Sequence, residues 1–518
     1  MGFIKKNSTL LFVLGIILFF FVTRFYNILG LPIFTDEAIY VRWSQIASND
    51  AAWRFISLTD GKQPMFVWIA MLLMKVIHDP LLAGRMVSVF AGFASMVGIF
   101  FLTNEIFKNS PSASLRARKI GLLAAFIYVL YPFALVYDRM ALYDSLVAMF
   151  IIWSLYFEIL LAKHVRLDLA LILGMIIGAG MLTKTNANFA LILLPFSLLL
   201  FNFEDTKSLS ALLRTKRFWR WVLLALVVAF IANIMYGILR LSPFFHVIGD
   251  KNLVFIYSFK EWIQQPFSFF WNNLRAMLNW LTIYSTLPFL LLVIAAFLVK
   301  KKDFKEKLLL LIWFIVPFLA LGFFGKTLYP RFILFMTMPL LVLGVYGFYQ
   351  LQSFSKKIWL KMLVFVVFFM MFVINGFYII TDFTKASVPE SDRDQFYAGW
   401  PSGVGVKETV DFLQEKAKNE KIYVGTEGTF GLMPYALEIY LGTNPNVIIK
   451  GFWPINDVPP KELVEASKDM STYVVFYQDC PSCPHVGIAP IAWPVKQVFQ
   501  IEKAEGGRHY TLYHLEPK

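Results

Sequence analysis

Eleven mostly apolar stretches, each near the ~20 residues a bilayer-crossing helix needs, constrain this chain more than any other feature. They fall at 8–30, 81–105, 119–137, 141–161, 168–184, 187–203, 220–241, 276–299, 308–324, 331–350 and 361–380. Of the 518 residues 58% are hydrophobic and 16% charged, where a soluble domain has about half and a quarter. The chain reads as a polytopic membrane protein. The first stretch follows Lys5 and Lys6 like a secretory signal, but no small-residue cleavage site comes after it, so it reads as a retained helix.

The net charge of +14 would suit a nucleic-acid binder if it were gathered on a soluble face. Instead it sits in short loops between apolar stretches: Lys5/Lys6, Arg116/Arg118/Lys119, Lys163/Arg166, Arg214/Lys216/Arg217, Lys300/Lys301/Lys302 and Lys356/Lys357. All of these fall on one side under this span count. Basic loops mark the cytoplasmic side, so the N-terminus is expected there and no nucleic-acid partner is expected. No organelle retention signal is present, which favours a prokaryotic plasma (inner) membrane.

Between the first two spans, Pro64 to Ile77 is apolar but only 14 residues long. That length suits an interfacial or re-entrant helix, and parity agrees, because an extra span would turn the basic loops outward. Residues 31–80 are therefore read as an external loop of amphipathic helices, and 242–275 as a second surface-lying segment. After about residue 381 the composition changes. Residues 405–419 suit an amphipathic helix, and Lys421–Gly425, Asn446–Lys450 and Thr472–Tyr477 suit short buried strands. The fold class is thus mainly α: a polytopic helix bundle of about eleven spans over residues 1–384. A small extracytoplasmic α/β domain follows over 385–518.

Ionised groups at membrane depth are costly and are seldom placed there without a use. Here they collect at the outer helix ends. Asp36 and Glu37 follow the first span, Lys62 precedes Gln63-Pro64, and Asp138, Arg139 and Asp144 share one outer turn. Lys184 ends Leu182-Thr183-Lys184, and Lys326 and Arg331 flank Thr327-Leu328-Tyr329-Pro330. Each has a structural reading as well. Asp36 can cap a helix, Arg139 and Asp144 can form an ion pair, and Lys62, Lys184 and Arg331 can reach for the interface. Cys480-Pro481-Ser482-Cys483 has no second cysteine pair, so a small disulfide or two inert thiols fit better than a metal or redox site. Gly425-Thr426-Glu427-Gly428-Thr429-Phe430 reads as a turn and helix start rather than a pocket.

In order along the chain, the motifs are Asp36-Glu37-Ala38-x-Tyr40, Lys62-x-Pro64, Arg85-Met86-x-Ser88, Arg139-x-x-x-x-Asp144, Leu182-Thr183-Lys184 and Pro330-Arg331-Phe332-Ile333-Leu334. This set resembles the integral-membrane glycosyltransferases of the protein mannosyltransferase and aminoarabinose transferase type, whose architecture is called GT-C. The resemblance implies transfer of a sugar from a polyprenyl-phosphate donor to an acceptor outside the cytoplasm, with inversion. It points to Asp36 as general base, with Glu37 and Asp144 as the accompanying acids. It places Lys62 at the donor phosphate, and extends the donor contacts to Tyr40, Arg139, Lys184, Lys326 and Arg331. The acceptor would be a protein, lipid or cell-envelope glycan. No cofactor is required, although Asp36, Glu37 and Asp144 would suit a divalent cation.

Four positions depart from the family pattern. Gln63 stands where a second proline is usual, Phe332 where a tyrosine is usual, and Thr185-Asn186 where Gly-Pro is usual. The long external loop lacks a match to the His and Arg of aminoarabinose transferases. The rival class is a transporter or lipid flippase, which would keep its charges near the midplane and often shows related halves. A structural membrane protein with an external binding domain is the third reading, and it leaves the polar cluster idle.

Overall fold

A computed structural model describes residues 8–108, 114–201, 215–299, 302–478, 493–504 and 508–516. The chain forms two compact units. The first takes Met1–Tyr26, Phe55–Phe66 and Val87–Pro389; the second takes Asn27–Arg54, Val67–Met86 and Glu390–Lys518. The division after Pro389 lies close to the composition change in the sequence. The second unit also takes most of residues 31–80, which the sequence assigns to the 1–384 domain.

The first unit is helical. Among the described residues six helices are long and apolar enough to cross a bilayer: Pro80–Ile106, Tyr143–His164, Lys216–Leu241, Phe304–Phe324, Pro330–Gln352 and Ile358–Thr381. A seventh candidate is the pair Phe270–Ser285 and Leu287–Leu298, bent by 97°. The bend falls at Thr286, whose φ is +60°, just before Pro288. The other expected spans are shorter helices: Thr9–Phe25, Leu167–Met181 and Thr185–Leu200, and Ser114–Leu130. Prolines account for part of the shortening. Pro132 starts a new six-residue helix after Leu130, and Pro195 opens a 3-10 stretch.

Burial sorts the helices. Pro330–Gln352 has 89% of its most apolar window inside the protein, whereas Lys216–Leu241 has 22% and presents Leu223, Leu226, Phe230 and Leu241 outward. In lipid the apolar surface offers little drive for helices to associate, so close backbone approach matters. Gly347 shows this. A Cβ there would sit 2.0 Å from the Leu292 carbonyl oxygen, so only glycine lets helices Leu334–Gln352 and Leu287–Leu298 meet.

One buried polar cluster inside this unit is paired. The Arg24 guanidinium lies 3.1 Å from Asp138, which also accepts from Ser145 Oγ at 2.9 Å and from Tyr128 Oη. All four residues are buried. An ionised pair in such a place needs complete hydrogen bonding to be tolerated. The stretch at 242–275 forms two short helices, Val247–Phe255 and Phe259–Gln264, the second opened by a Ser258–Glu261 capping box.

The second unit holds a five-stranded sheet of β1 (Ile422–Glu427), β2 (Val447–Phe452), β3 (Ser471–Phe476), β4 (Val495–Glu502) and β5 (His509–Leu515). The order is β2-β1-β3-β5-β4. β1 pairs in parallel with β2 and β3, while β5 pairs antiparallel with β3 and β4. The three strands expected from the sequence are β1, β2 and β3, and the expected amphipathic helix is Val406–Lys416. β4 and β5 were not anticipated. Glycine-rich 425–430 is the end of β1 and a turn, with Gly428 at φ +94°. Cys480 and Cys483 lie outside the described residues.

Two helices of residues 31–80 belong to this unit, wholly or mostly: Thr35–Asn49 and Met65–Leu73. At nine residues the second is too short to span a bilayer. Thr35–Asn49 is pinned to helix Leu432–Leu441 by Arg42 Nε on Glu438 at 2.7 Å and by Gln45 Nε2 on the Ile439 carbonyl at 2.9 Å. Its start is knitted to the chain at 401–403: the Thr35 N–H donates to the Pro401 carbonyl, and the Gly403 N–H to that of Ile33.

Candidate active site

In the first unit, four of the expected residues converge on two phenylalanine rings. Asp144 opens helix Tyr143–His164 and is buried. Lys184 follows the end of helix Leu167–Met181, and its Nζ donates to Asp144 Oδ1 at 2.6 Å. The same ammonium lies 4.6 Å from the centroid of the Phe332 ring. Arg331, buried in the turn Pro330–Ile333, has its guanidinium carbon 5.8 Å from that ring and 4.9 Å from Tyr329. Phe332 meets Phe255 edge to face at 5.7 Å, and Lys62 Nζ stands 5.2 Å from the Phe255 centroid. Three cations and one carboxylate therefore gather around a pair of rings. Ring faces attract cations, so the aromatic pair can hold like charges close together without consuming their hydrogen-bond donors.

Two departures from the family pattern meet at this place. Gln63 Nε2 donates to Thr185 Oγ1 at 2.9 Å, and the Met65 N–H donates to the Leu182 carbonyl at 3.0 Å. The Lys62-Gln63-Pro64 and Leu182-Thr183-Lys184 segments are thus fastened to each other. The Gln63–Thr185 hydrogen bond uses side chains that Pro and Gly could not supply. Phe332 compensates similarly: it lacks a hydroxyl but offers its face to Lys184 and Arg331.

Asp36 lies in the second unit, where it is the second residue of helix Thr35–Asn49 and half-buried. Glu37 beside it is fully buried and forms a two-armed pair with Arg85, Nε to Oε1 at 2.9 Å and Nη2 to Oε2 at 2.8 Å. Glu37 Oε2 also accepts the Phe34 N–H at 3.0 Å. Arg85 Nη1 donates to the carbonyls of Ile28 and Leu31. One buried ion pair thus fixes both the chain leading into Asp36 and the first turn that carries it.

A family model described as dolichyl-phosphate-mannose-protein mannosyltransferase matches residues 61–236, about a third of the chain. The stretch contains Lys62, Asp144 and Lys184. ArnT from Cupriavidus metallidurans in the apo state superposes over 99% of this chain and 100% of its own, with TM-score 0.59 and 14% identity. The same protein bound to undecaprenyl phosphate gives TM-score 0.60 at 13% identity, with the same coverage. The archaeal oligosaccharyltransferase AglB from Archaeoglobus fulgidus, in complex with an inhibitory peptide and a dolichol-phosphate, covers 98% of this chain and 74% of its own, with TM-score 0.52 and 13% identity. No curated protein sequence matches the chain.

The chain has the GT-C fold.

Within that fold the expected site residues separate into groups. Lys62, Asp144, Lys184 and Arg331 come together as described. Three others pair elsewhere. Glu37 is the buried partner of Arg85. Arg139 Nη1 donates to the carbonyls of Thr23, Arg24 and Tyr26 at 2.9, 3.1 and 2.8 Å, closing the C-terminal end of the first helix. Lys326 Nζ donates to Glu261 at 2.9 Å and to the Leu253 carbonyl at 3.1 Å, tying down the 242–275 segment. That ammonium and the Ser258 hydroxyl and N–H hold the Glu261 carboxyl down at about 2. Tyr40 is buried in its helix with its ring 5.9 Å from Trp43.

The sequence reading missed Phe255 as a partner of Lys62, because nothing local links positions nearly two hundred residues apart. Among the described residues no group of three or more His, Cys, Asp or Glu side chains is placed to hold a metal ion. Asp144 already takes the Lys184 ammonium.

Proposed function

We infer that the chain is a membrane glycosyltransferase that moves a sugar from a polyprenyl-phosphate donor to an acceptor outside the cytoplasm, inverting the anomeric carbon. The observation that carries this reading is the gathering of Lys62, Lys184 and Arg331 around Phe255 and Phe332, with Asp144 holding Lys184 in place.

The chemistry follows from the residue types. The leaving group is a lipid phosphate, which departs without protonation, so no general acid is needed. Negative charge grows on its oxygens as the glycosidic bond breaks, and fixed cations stabilise that growth. Lys62, Lys184 and Arg331 supply them. The acceptor hydroxyl is a weak nucleophile and benefits from a positioned base, which is Asp36. Its proton goes to the Asp36 carboxylate as the acceptor oxygen bonds to the anomeric carbon from the face opposite the phosphate. One displacement with one acting carboxylate inverts the centre, unlike the paired carboxylates of retaining hydrolases. Asp144 acts through Lys184.

The helix ends support an orientation. Asp144, Lys184 and Arg331 mark one end of successive helices, while Lys163, Arg166, Lys302 and Lys356 mark the other. With the basic end cytoplasmic, the reaction faces outward from a plasma membrane. The transporter reading has no such support: its charges should lie mid-span, and here they sit at helix ends.

The test is transfer in vitro from labelled polyprenyl-phosphate sugars to an envelope extract, comparing wild type with Asp36→Asn. The expected result is transfer by wild type and a loss of 100-fold or more in the variant, on the order of a positioned base's contribution. Full activity in Asp36→Asn would reject the base assignment.

A further inference from the structure

The second unit contains a cavity of about 430 Å³ that the transfer chemistry above does not use. This falls within the range of small-molecule sites. One wall is Leu31-Pro32-Ile33, the segment whose carbonyls hold Arg85 and which leads directly into Thr35 and Asp36. The facing wall is the turn Gly403–Gly405 and the start of helix Val406–Lys416. The walls are fixed to each other: Gly403 donates its N–H to the Ile33 carbonyl at 2.8 Å, and a Cβ at Gly403 would meet that oxygen at 2.4 Å.

The lining is amphiphilic. Pro32, Ile33, Leu81, Val406 and Val410 give an apolar floor. Around it stand Asp79, Tyr397, Glu408, Gln414 and Tyr440, with the Lys407–Asp411 ion pair exposed at the rim. Among the described residues, the side chains of Tyr397, Glu408, Gln414 and Tyr440 make no hydrogen bond. Asp79 uses Oδ1 to accept the Leu82 N–H at 2.7 Å. Three carboxylates against one lysine disfavour an anionic occupant. Ionised carboxylates only accept hydrogen bonds, while phenols and amides do both, so the lining suits a ligand rich in hydroxyl donors. An apolar floor under such a rim fits a sugar ring, which has a C–H face and a belt of hydroxyls.

We propose that this cavity binds a neutral glycan, the acceptor that presents its hydroxyl to Asp36. The proposal rests on the transfer reading and narrows its acceptor to an uncharged carbohydrate. Phosphorylated sugars and polypeptides are the excluded classes.

The test uses the full chain in lipid nanodiscs. Titration calorimetry is run with neutral disaccharides of glucose, mannose and galactose, and with mannose 6-phosphate and a Ser/Thr-containing heptapeptide as comparison arms. At least one neutral disaccharide is expected to bind. Val404→Trp, which fills the cavity from a half-buried position, should weaken it tenfold or more. Glu408→Ala combined with Gln414→Ala changes only exposed side chains and should weaken it comparably, which covers a failure of the tryptophan variant to fold. Asp36→Asn should bind the sugar like wild type while losing transfer. In transfer assays the cavity variants should raise the acceptor KM and leave slow hydrolysis of the donor by water unchanged.

Absence of any disaccharide binding, wild-type affinity in both cavity variants, or preference for the phosphosugar or peptide would overturn the proposal. If no protein transfers sugar but binding still follows the cavity variants, the transfer reading fails and the glycan site stands.

Discussion

At the scale of single residues, the charged groups differ in what they pair with. The sequence shows Glu37, Arg139, Lys184 and Arg331 as equivalent: ionisable groups at outer helix ends. The structure divides them by partner. Arg139 ends on three backbone carbonyls more than a hundred positions away, and Glu37 ends on Arg85. Neither partner could be identified locally, because a carbonyl leaves no mark in a sequence and an arginine can pair with any acid. The Arg85–Glu37 pair is buried on both sides, so removing one partner strands a charge. Arg85→Met is expected to destabilise the protein by about 3–5 kcal/mol. Thermal unfolding in detergent checks this, and a Tm equal to wild type would show the pair to be dispensable. Gln63 and Thr185 form a neutral side-chain pair, and each replacement by alanine should cost about 1 kcal/mol. The double variant should cost less than the sum, since the second change finds the bond already gone. Strict additivity in that cycle would mean that the two segments are fastened by backbone contacts alone.

At the scale of elements, the apolar stretches told where helices lie but not how long they remain regular. Hydropathy averages over a window and does not see the break at Tyr131-Pro132 or the 97° bend at Thr286. The basic loops were legible because they are local and repeated. β4 and β5 were missed for a related reason. β4 alternates weakly, with no fully buried position, and gains its identity from pairing with β5 rather than from its own pattern. The second unit offers a pH test. Lys503 is buried at the end of β4, donating to the carbonyls of Gly399, Trp400 and Ser402. Burial, with Arg508 adding to it, pushes its ammonium down to about 7 from 10.5, against the pull of Glu427. Below pH 7 folded and unfolded chains both hold the proton, so Lys503 adds no slope. Between pH 7 and 10.5 the unfolded chain binds more protons, so stability rises with pH. The slope is at most roughly 1.4 kcal/mol per pH unit. Lys503→Met should be less stable throughout, because three carbonyls lose their donor, yet show a flatter rise between pH 7 and 9. An unchanged slope in the variant would assign the pH dependence to other groups.

At the scale of the whole molecule, the fold match spans nearly the full chain at 13–14% identity. The architecture therefore rests on the placement of spans, loops and caps more than on particular side chains. That is why the fold could be anticipated from apolar periodicity and ordered short motifs. The site could be anticipated only where a motif carried its own contact, as Leu182-Thr183-Lys184 does through Asp144. The two-ring arrangement that gathers the cations depended on Phe255, outside every motif. The claim on which the account turns is that these cations hold the phosphate of a lipid carrier. The most direct measurement is the affinity of undecaprenyl phosphate for the full chain in nanodiscs, comparing wild type with Lys62→Met, Lys184→Met and Arg331→Met. Each charge-assisted contact is worth about 1.5–3 kcal/mol, so each variant should bind about tenfold more weakly or worse while remaining folded. Affinity that stays at the wild-type level in all three folded variants would contradict the account.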